Sequence, residues 1–366
     1  MTFPFNKLIP ISNEEIVHSE EFYEEIRKYG SFLSDKKLPI IYSLPHLCLL
    51  SGVNINNIKK LCGSNRIDDY KRFKLKKRRG GFRVIQTPNE ELKYLQRWIL
   101  FNILDKITVH DSCTGFEKEK SIKQNAEIHL KSEAVLKIDL MRFFDTINEK
   151  RIYGLFKNFG YHKNLAVSFA KICTIEPNEK FMKSFKKNEI GIKNFIIENE
   201  EGILPQGSPT SPKLSNLVAF KLDKRLYGLA LKSKLNYSRY ADDITFSGNL
   251  DTLKKIKSII YKIINEERFF VNHSKTKLLI RGNPFFVTGL SVNNNYVTIP
   301  KKRKIDIEHH LFHCLENGVE EHMKICEIKK RNFKDWLLGN IAFVYSVEKE
   351  LGQKYFDSFN KIQWPI

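Results

Sequence analysis

The sequence predicts an α+β fold in which an antiparallel sheet packs on helices, and three observations predict it. Asn236–Ser247 reads Asn-Tyr-Ser-Arg-Tyr-Ala-Asp-Asp-Ile-Thr-Phe-Ser, two adjacent carboxylates between β-prone flanks, the pattern of a strand-turn-strand. Ala134–Asp139 is a short, mainly apolar run that ends on a carboxylate, as a core strand delivering an acid would. From Val287 onward the apolar spacing becomes helical, with helices expected at Ile305–Glu316, Glu320–Asn332, Phe333–Glu348 and a last one through Phe359.

The other elements follow in chain order. Asn13–Tyr29 has helical spacing and no basic segment before a long apolar core, so it does not read as a secretion signal. Leu38–Val53 is apolar but broken by Pro39, Pro45 and His46, and no run reaches membrane-spanning length. Tyr70–Ile85 reads as strand, Gly80-Gly81 turn, strand. It has eight basic residues between Lys71 and Arg83, interleaved with Phe73, Leu75, Phe82, Val84 and Ile85: an ordered hairpin with a cationic side. Leu92–Leu104 carries Leu92, Leu95, Trp98, Ile99 and Ile103 at helical spacing and reads as core. Gly202–Asn216 is a Gly/Pro-punctuated loop, with Ser211 as cap and Pro212 in the first turn of a helix running from Leu214 to about Leu229.

The chemistry lies in the carboxylates. Side chains alternate along an extended strand, so neighbouring acids point apart unless a tight turn redirects one of them. With Tyr237, Tyr240, Ile244, Thr245 and Phe246 around them, Asp242 and Asp243 belong to a strand pair expected to be buried, where unpaired charge is costly without a cation. Asp139 completes a set of oxygen ligands for two divalent ions about 3.5 to 4 Å apart, the apparatus for in-line attack of a hydroxyl on a nucleoside triphosphate. Hard oxygen donors favour Mg²⁺ over a transition metal. His309, His310, His313, Cys314, His322 and Cys326 match no standard zinc-finger spacing, and a helix over Ile305–Leu315 accounts for most of them as surface and core positions.

Composition points to nucleic acid. The chain has 62 Lys+Arg against 42 Asp+Glu, a formal charge of +20 spread in short runs such as Lys183–Lys187 and Lys301–Lys304. Binding to phosphate is then long-ranged and salt-dependent. No segment sets this charge opposite a wide apolar face, so a membrane surface is not the expected partner. The six cysteines lack paired spacing and suit reduced thiols, and a cytoplasmic location is expected.

In the order Asp139, Leu204-Pro205-Gln206-Gly207, Tyr240-Ala241-Asp242-Asp243, the sequence resembles the reverse transcriptases from about Ser51 to the C-terminus. The resemblance implies a right-hand polymerase: an N-terminal helical extension (1–50), fingers (51–132), palm (133–285) with a fingers insertion near 151–203, and a helical thumb or RNA-binding region (286–366). It implies Asp139, Asp242 and Asp243 as metal ligands, Phe144 as the steric gate against a ribose 2′-OH, Gln206 in the loop on the nascent base pair, and Lys77 and Arg83 on the triphosphate. Lys275, in Asn272–Lys277, falls where the family has a lysine that protonates pyrophosphate. The substrates implied are deoxynucleoside triphosphates with two Mg²⁺ ions.

Two further strings, Asn125-Ala126-Glu127-Ile128-His129 and Val287-Thr288-Gly289, resemble motifs of the bacterial retron branch. That branch copies part of its own structured non-coding RNA into a branched RNA–DNA product (msDNA), primed from a guanosine 2′-OH, often in phage defence with an effector protein. The resemblance implies RNA contacts for Asn125, His129, Val287, Thr288 and Gly289, and for Lys301, Lys302, Arg303 and Lys304. Asn125 and His129, four apart, share one face of a helix; they read equally well as a structural hydrogen-bond pair. A group II intron enzyme would need further domains after the thumb, for which Ile366 comes too soon. A different defence-type enzyme should lack the two strings, and an inactive nucleic-acid-binding polymerase fold should have lost a carboxylate.

Overall fold

A computed structural model of the chain describes residues 19–63, 68–76, 82–199, 201–328 and 332–365. The chain divides into two compact units, one of Met1–Asp111, Leu140–Arg225 and Lys262–Val271, the other of Ser112–Asp139, Leu226–Tyr261 and Asn272–Ile366.

The first unit is mostly helical. Its first described helix, Glu20–Asp35, starts where the Ser19 hydroxyl accepts from the Phe22 amide, and it runs past the expected end at Tyr29. Helices Glu149–Phe159 and Lys163–Cys173 enclose an aromatic core in which Phe156 stacks on Phe169 at 4.6 Å and Tyr161 meets Phe169 edge-on at 5.1 Å. Strands β1 (Tyr70–Lys76) and β2 (Phe82–Pro88) pair antiparallel, and the expected Gly80-Gly81 turn lies outside the described residues. The register sets Leu75 opposite Arg83 and Lys74 opposite Val84. Because strand side chains alternate, Lys71 and Arg83 share one face while Arg72, Lys74 and Lys76 share the other. Phe73, Leu75, Phe82 and Val84 are exposed between them.

The helix expected from Leu214 is two helices, Ser211–Val218 and Phe220–Lys232. Thr210, not Ser211, is the N-cap, in a helical backbone conformation that presents no side-chain cap; Pro212 sits in the first turn as expected.

The second unit contains a four-stranded antiparallel sheet in the order β4-β5-β3-β6, formed by β3 (Ala134–Asp139), β4 (Asn236–Tyr240), β5 (Asp243–Gly248) and β6 (Lys277–Ile280). β3 lies between partners on both edges and its residues Ala134, Val135, Leu136 and Ile138 are buried, which explains its near-continuous apolar run. A two-stranded ribbon follows, β7 (Phe286–Val287) and β8 (Leu290–Ser291). The C-terminal helices are Lys301–Glu316, Val319–Ile325, Phe333–Val347 and Lys349–Asn360. The first therefore begins four residues early, at Lys301 behind Pro300, and the second stops at Ile325 rather than Asn332. Their apolar faces join Val287, Leu290 and Ala126 in one core cluster. Among the described residues no helix is long and apolar enough to cross a membrane, and all six cysteines are free.

Candidate active site

Asp139 is the last residue of β3 and lies directly opposite Asp243, the first residue of β5. β4 and β5 are closed by a two-residue loop, Ala241-Asp242, because Tyr240 pairs with Asp243. The turn gives the doublet its chemistry: it stops the alternation that would otherwise send Asp242 and Asp243 to opposite faces of the sheet.

That loop is strained and held. Ala241 has φ +55°, a left-handed conformation that costs a non-glycine residue about 1 kcal/mol or more. Arg239, fully buried, donates to the Ala241 carbonyl at 3.0 Å. The 112–115 segment runs alongside: the Arg239 amide donates to the Ser112 carbonyl and the Thr114 amide to the Arg239 carbonyl, each at 2.9 Å. Gly115 presses so closely that a Cβ there would lie 2.7 Å from the Ala241 nitrogen.

Asn125 and His129 form the next layer. The Thr114 hydroxyl donates to Asn125 Oδ1 at 2.7 Å. His129 spans the two strands of the β4–β5 hairpin, its Nε2 2.7 Å from the Ser238 hydroxyl on β4 and its Nδ1 2.8 Å from the Ser247 hydroxyl on β5. Burial first, then the charge of Lys137, pushes the His129 imidazole down to about 3, so it is neutral throughout the working range. The two residues do not share a helix face: the helix is Ile122–Glu127 and His129 lies in the turn after it. Both are buried.

The second motif reaches the same place. Thr288 (φ +49°) and Gly289 (φ +82°) are the two loop residues of the β7–β8 hairpin, and the Thr288 hydroxyl donates to the Ile122 carbonyl at 3.1 Å. Val287 and Leu290 are buried with Ala126. The two motifs, far apart in sequence, are thus packed on one another.

Around Asp139, Lys275 Nζ stands 3.0 and 2.9 Å from the two carboxylate oxygens, and the Asn272 amide group donates to Oδ1 at 2.8 Å. Burial, then the charges of Asp243 and Asp139, pushes the Asp242 carboxyl up to about 6. Burial also raises Asp243, with Lys137 opposing and Asp139 adding to it. Three acids in one partly buried corner thus hold more negative charge than Lys275 and Lys137 relieve. An all-oxygen donor set with surplus negative charge fits a hard divalent cation. Elsewhere among the described residues, His309, His310 and His322 have ligand atoms mutually within 4.8 Å.

Phe144, Gln206 and Arg83 lie in the first unit. Phe144 is half-buried, edge-on to Phe143, which stacks on Phe269 at 5.4 Å. The Gln206 carbonyl accepts from the Gln86 amide of β2 at 2.8 Å, and a Cβ on Gly207 would lie 2.8 Å from the Gln86 carbonyl oxygen. Ser208 donates to Gln96, which is buried and donates to Tyr70 and to the Ile172 carbonyl. Arg83 is exposed, and Lys77 lies outside the described residues. At the C-terminal helices Lys301 and Lys302 are exposed. Lys304 pairs with Glu348 at 2.7 Å, and Arg303 donates to Asn340 at 2.9 Å and sits over the Phe343 ring.

Ser112, Thr114, Gly115, Ser238, Arg239 and Ser247 are missed by motif reading. Arg239 alone leaves a signal, an arginine inside an otherwise apolar strand pattern.

The family model described as reverse transcriptase (RNA-dependent DNA polymerase) matches residues 75–307. The chain is 31% identical to the retron Ec86 reverse transcriptase of Escherichia coli, over 77% of each chain. It is 35% identical to the retron Mx65 reverse transcriptase of Myxococcus xanthus over 62% of this chain, spanning 52% of that relative. Among solved structures, apo telomerase from Candida tropicalis is similar at a TM-score of 0.44 and 15% identity, covering 82% of this chain and 60% of that one. With more than half of the chain matched by that model and retron enzymes among its relatives, the chain belongs to the reverse transcriptase family, in its retron branch, and is an RNA-directed DNA polymerase.

Proposed function

We propose that this polymerase copies part of a structured non-coding RNA into DNA, starting from a guanosine 2′-OH and leaving a branched RNA–DNA product. The observation that carries the catalytic part is Asp139 facing Asp243 across β3–β5, with Asp242 in the adjoining two-residue loop. In this reading the three carboxylates hold two Mg²⁺ ions, which when bound lower the pKa of the attacking hydroxyl and neutralise charge on the phosphates. Lys275 moves a proton to the pyrophosphate leaving group, Phe144 excludes a ribose 2′-OH, Gln206 supports the nascent base pair, and Lys77 and Arg83 receive the triphosphate.

The branched product rests on kinship with retron enzymes and on the two motifs packed together beside the catalytic hairpin. Asn125 and His129, being buried, act on RNA through the hairpin they brace. Lys301 and Lys302, exposed at the start of the Lys301–Glu316 helix, are the contacts we assign to the RNA backbone. We assign fingers to about 51–132, palm to 133–285 and thumb to 286–366, and a role in phage defence with a separate effector.

The test is to purify the protein with the nucleic acid it carries, sequence that material, and treat it with a debranching enzyme. Release of DNA from RNA is the expected result. A product without a 2′-linkage would remove the branched-product reading and leave a conventional reverse transcriptase.

A further inference from the structure

The helical hairpin at residues 301–325 brings together a cluster that the polymerase reaction does not use. The Lys301–Glu316 helix carries His309, His310 and His313; Gly318, at φ +82°, turns the chain; and the Val319–Ile325 helix returns His322 to them. His310 Nδ1 lies 2.8 Å from His322 Nε2, and one ligand nitrogen from each of His309, His310 and His322 falls within 4.8 Å of the others. Cys326 Sγ is 3.7 Å from the remaining ring nitrogen of His322, Nδ1. His310 is backed by Phe333 and Trp336, at 5.4 and 5.3 Å between ring centres. From its sequence spacing this group reads as surface and core positions. His309 is indeed exposed and Cys314 and His322 are buried, and three of the histidines also converge.

We propose that His309, His310 and His322 form a zinc site that pins the Lys301–Glu316 helix to the Val319–Ile325 helix, with Cys326 orienting His322 from behind. The donor set decides the metal: three imidazoles suit Zn²⁺, whereas Mg²⁺ takes oxygen ligands. Three nitrogens leave one tetrahedral position for water. Ligand nitrogens about 2.0–2.1 Å from a tetrahedral ion stand about 3.3 Å apart. His310 and His322 thus need to part by only about half an ångström, exchanging a shared proton for the ion. Edge-on contacts with Phe333 and Trp336 hold the ring of His310 before the ion arrives, which lowers the ordering cost of binding. His313 stacks parallel to His322 at 5.7 Å and is a neighbour, not a ligand.

The test uses untagged full-length protein, stripped of metal and titrated with Zn²⁺ against a chromogenic chelator. Wild type should bind one tight Zn²⁺ per chain, with a rise in melting temperature. His309→Ala, at an exposed position where folding is not at stake, should weaken that binding at least tenfold and abolish the rise. His313→Ala should keep both. Equal affinity in wild type and His309→Ala, or loss of the tight site in His313→Ala, would overturn the assignment. Neither readout depends on polymerase activity.

Discussion

Lys275 holds Asp139 by both carboxylate oxygens, at 2.9 and 3.0 Å, where the polymerase reading needs the carboxylate on a cation. In that reading the lysine competes with the metal before it serves the leaving group. Lys275→Met should lower the metal concentration that half-saturates primer extension. It should also cut the maximal rate by roughly 10²–10⁴-fold, as loss of a general acid does. Rates measured across a Mg²⁺ series separate the two effects, and an unchanged half-saturation would break the competition.

The Asp242 carboxyl, raised to about 6 in the fold against about 4 in an unfolded chain, makes the metal-free protein bind an extra proton between those values. A group whose folded pKa is raised stabilises the fold below its unfolded pKa and loses that contribution as pH climbs through the folded value. In EDTA, stability should fall from about pH 4 to pH 6. Adding Mg²⁺ should restore it above pH 6 and do little below. Asp242→Asn should make the EDTA profile shallower, the part left belonging to Asp145 and Asp243, which burial also raises, while abolishing synthesis; melting curves at a series of pH values would register either outcome.

His129 joins Ser238 to Ser247 inside the sheet, so replacing it leaves two buried hydroxyls without that partner and a cavity under the catalytic hairpin. His129→Ala should cost about 2–5 kcal/mol of stability. Extension of a generic annealed primer and priming on the cognate RNA should fall together. A defect confined to the cognate RNA, at unchanged melting temperature, would instead mark direct recognition.

Phe144→Ala should raise ribonucleotide incorporation by roughly 10–200-fold, the scale on which a filled apolar pocket discriminates. Single-nucleotide extension with matched ribo- and deoxyribonucleotides is the measurement. Unchanged discrimination would move the gate to another residue.

The placing of Asp139, Asp242 and Asp243 at one end of the sheet is legible because its physics is local. A two-residue loop must separate β4 from β5, an apolar run must end on Asp139, and both conditions are written in adjacent letters. What supports the corner was not legible, because it is assembled from distance. Nothing near Gly115 announces that it lies under Ala241, and Ser238 and Ser247 look like ordinary strand residues until His129 is found between them. The grouping of the histidines is hidden for the same reason: helical spacing explains each residue singly, while the turn at Gly318 gathers them. Helix ends slipped where capping was read without its backbone, as at Ser211.

The hook from Thr288 to the Ile122 carbonyl bears on how such enzymes can be recombined. A chimera cut just before Phe286, exchanging the C-terminal helices to change RNA preference, would mate a foreign β7–β8 turn with the resident 121–130 segment. It would also split a core shared by Ala126, Val287 and Leu290. A graft that keeps its parts in register must carry 112–130 along with everything after 285, and so transplant the underside of the catalytic hairpin together with the grip.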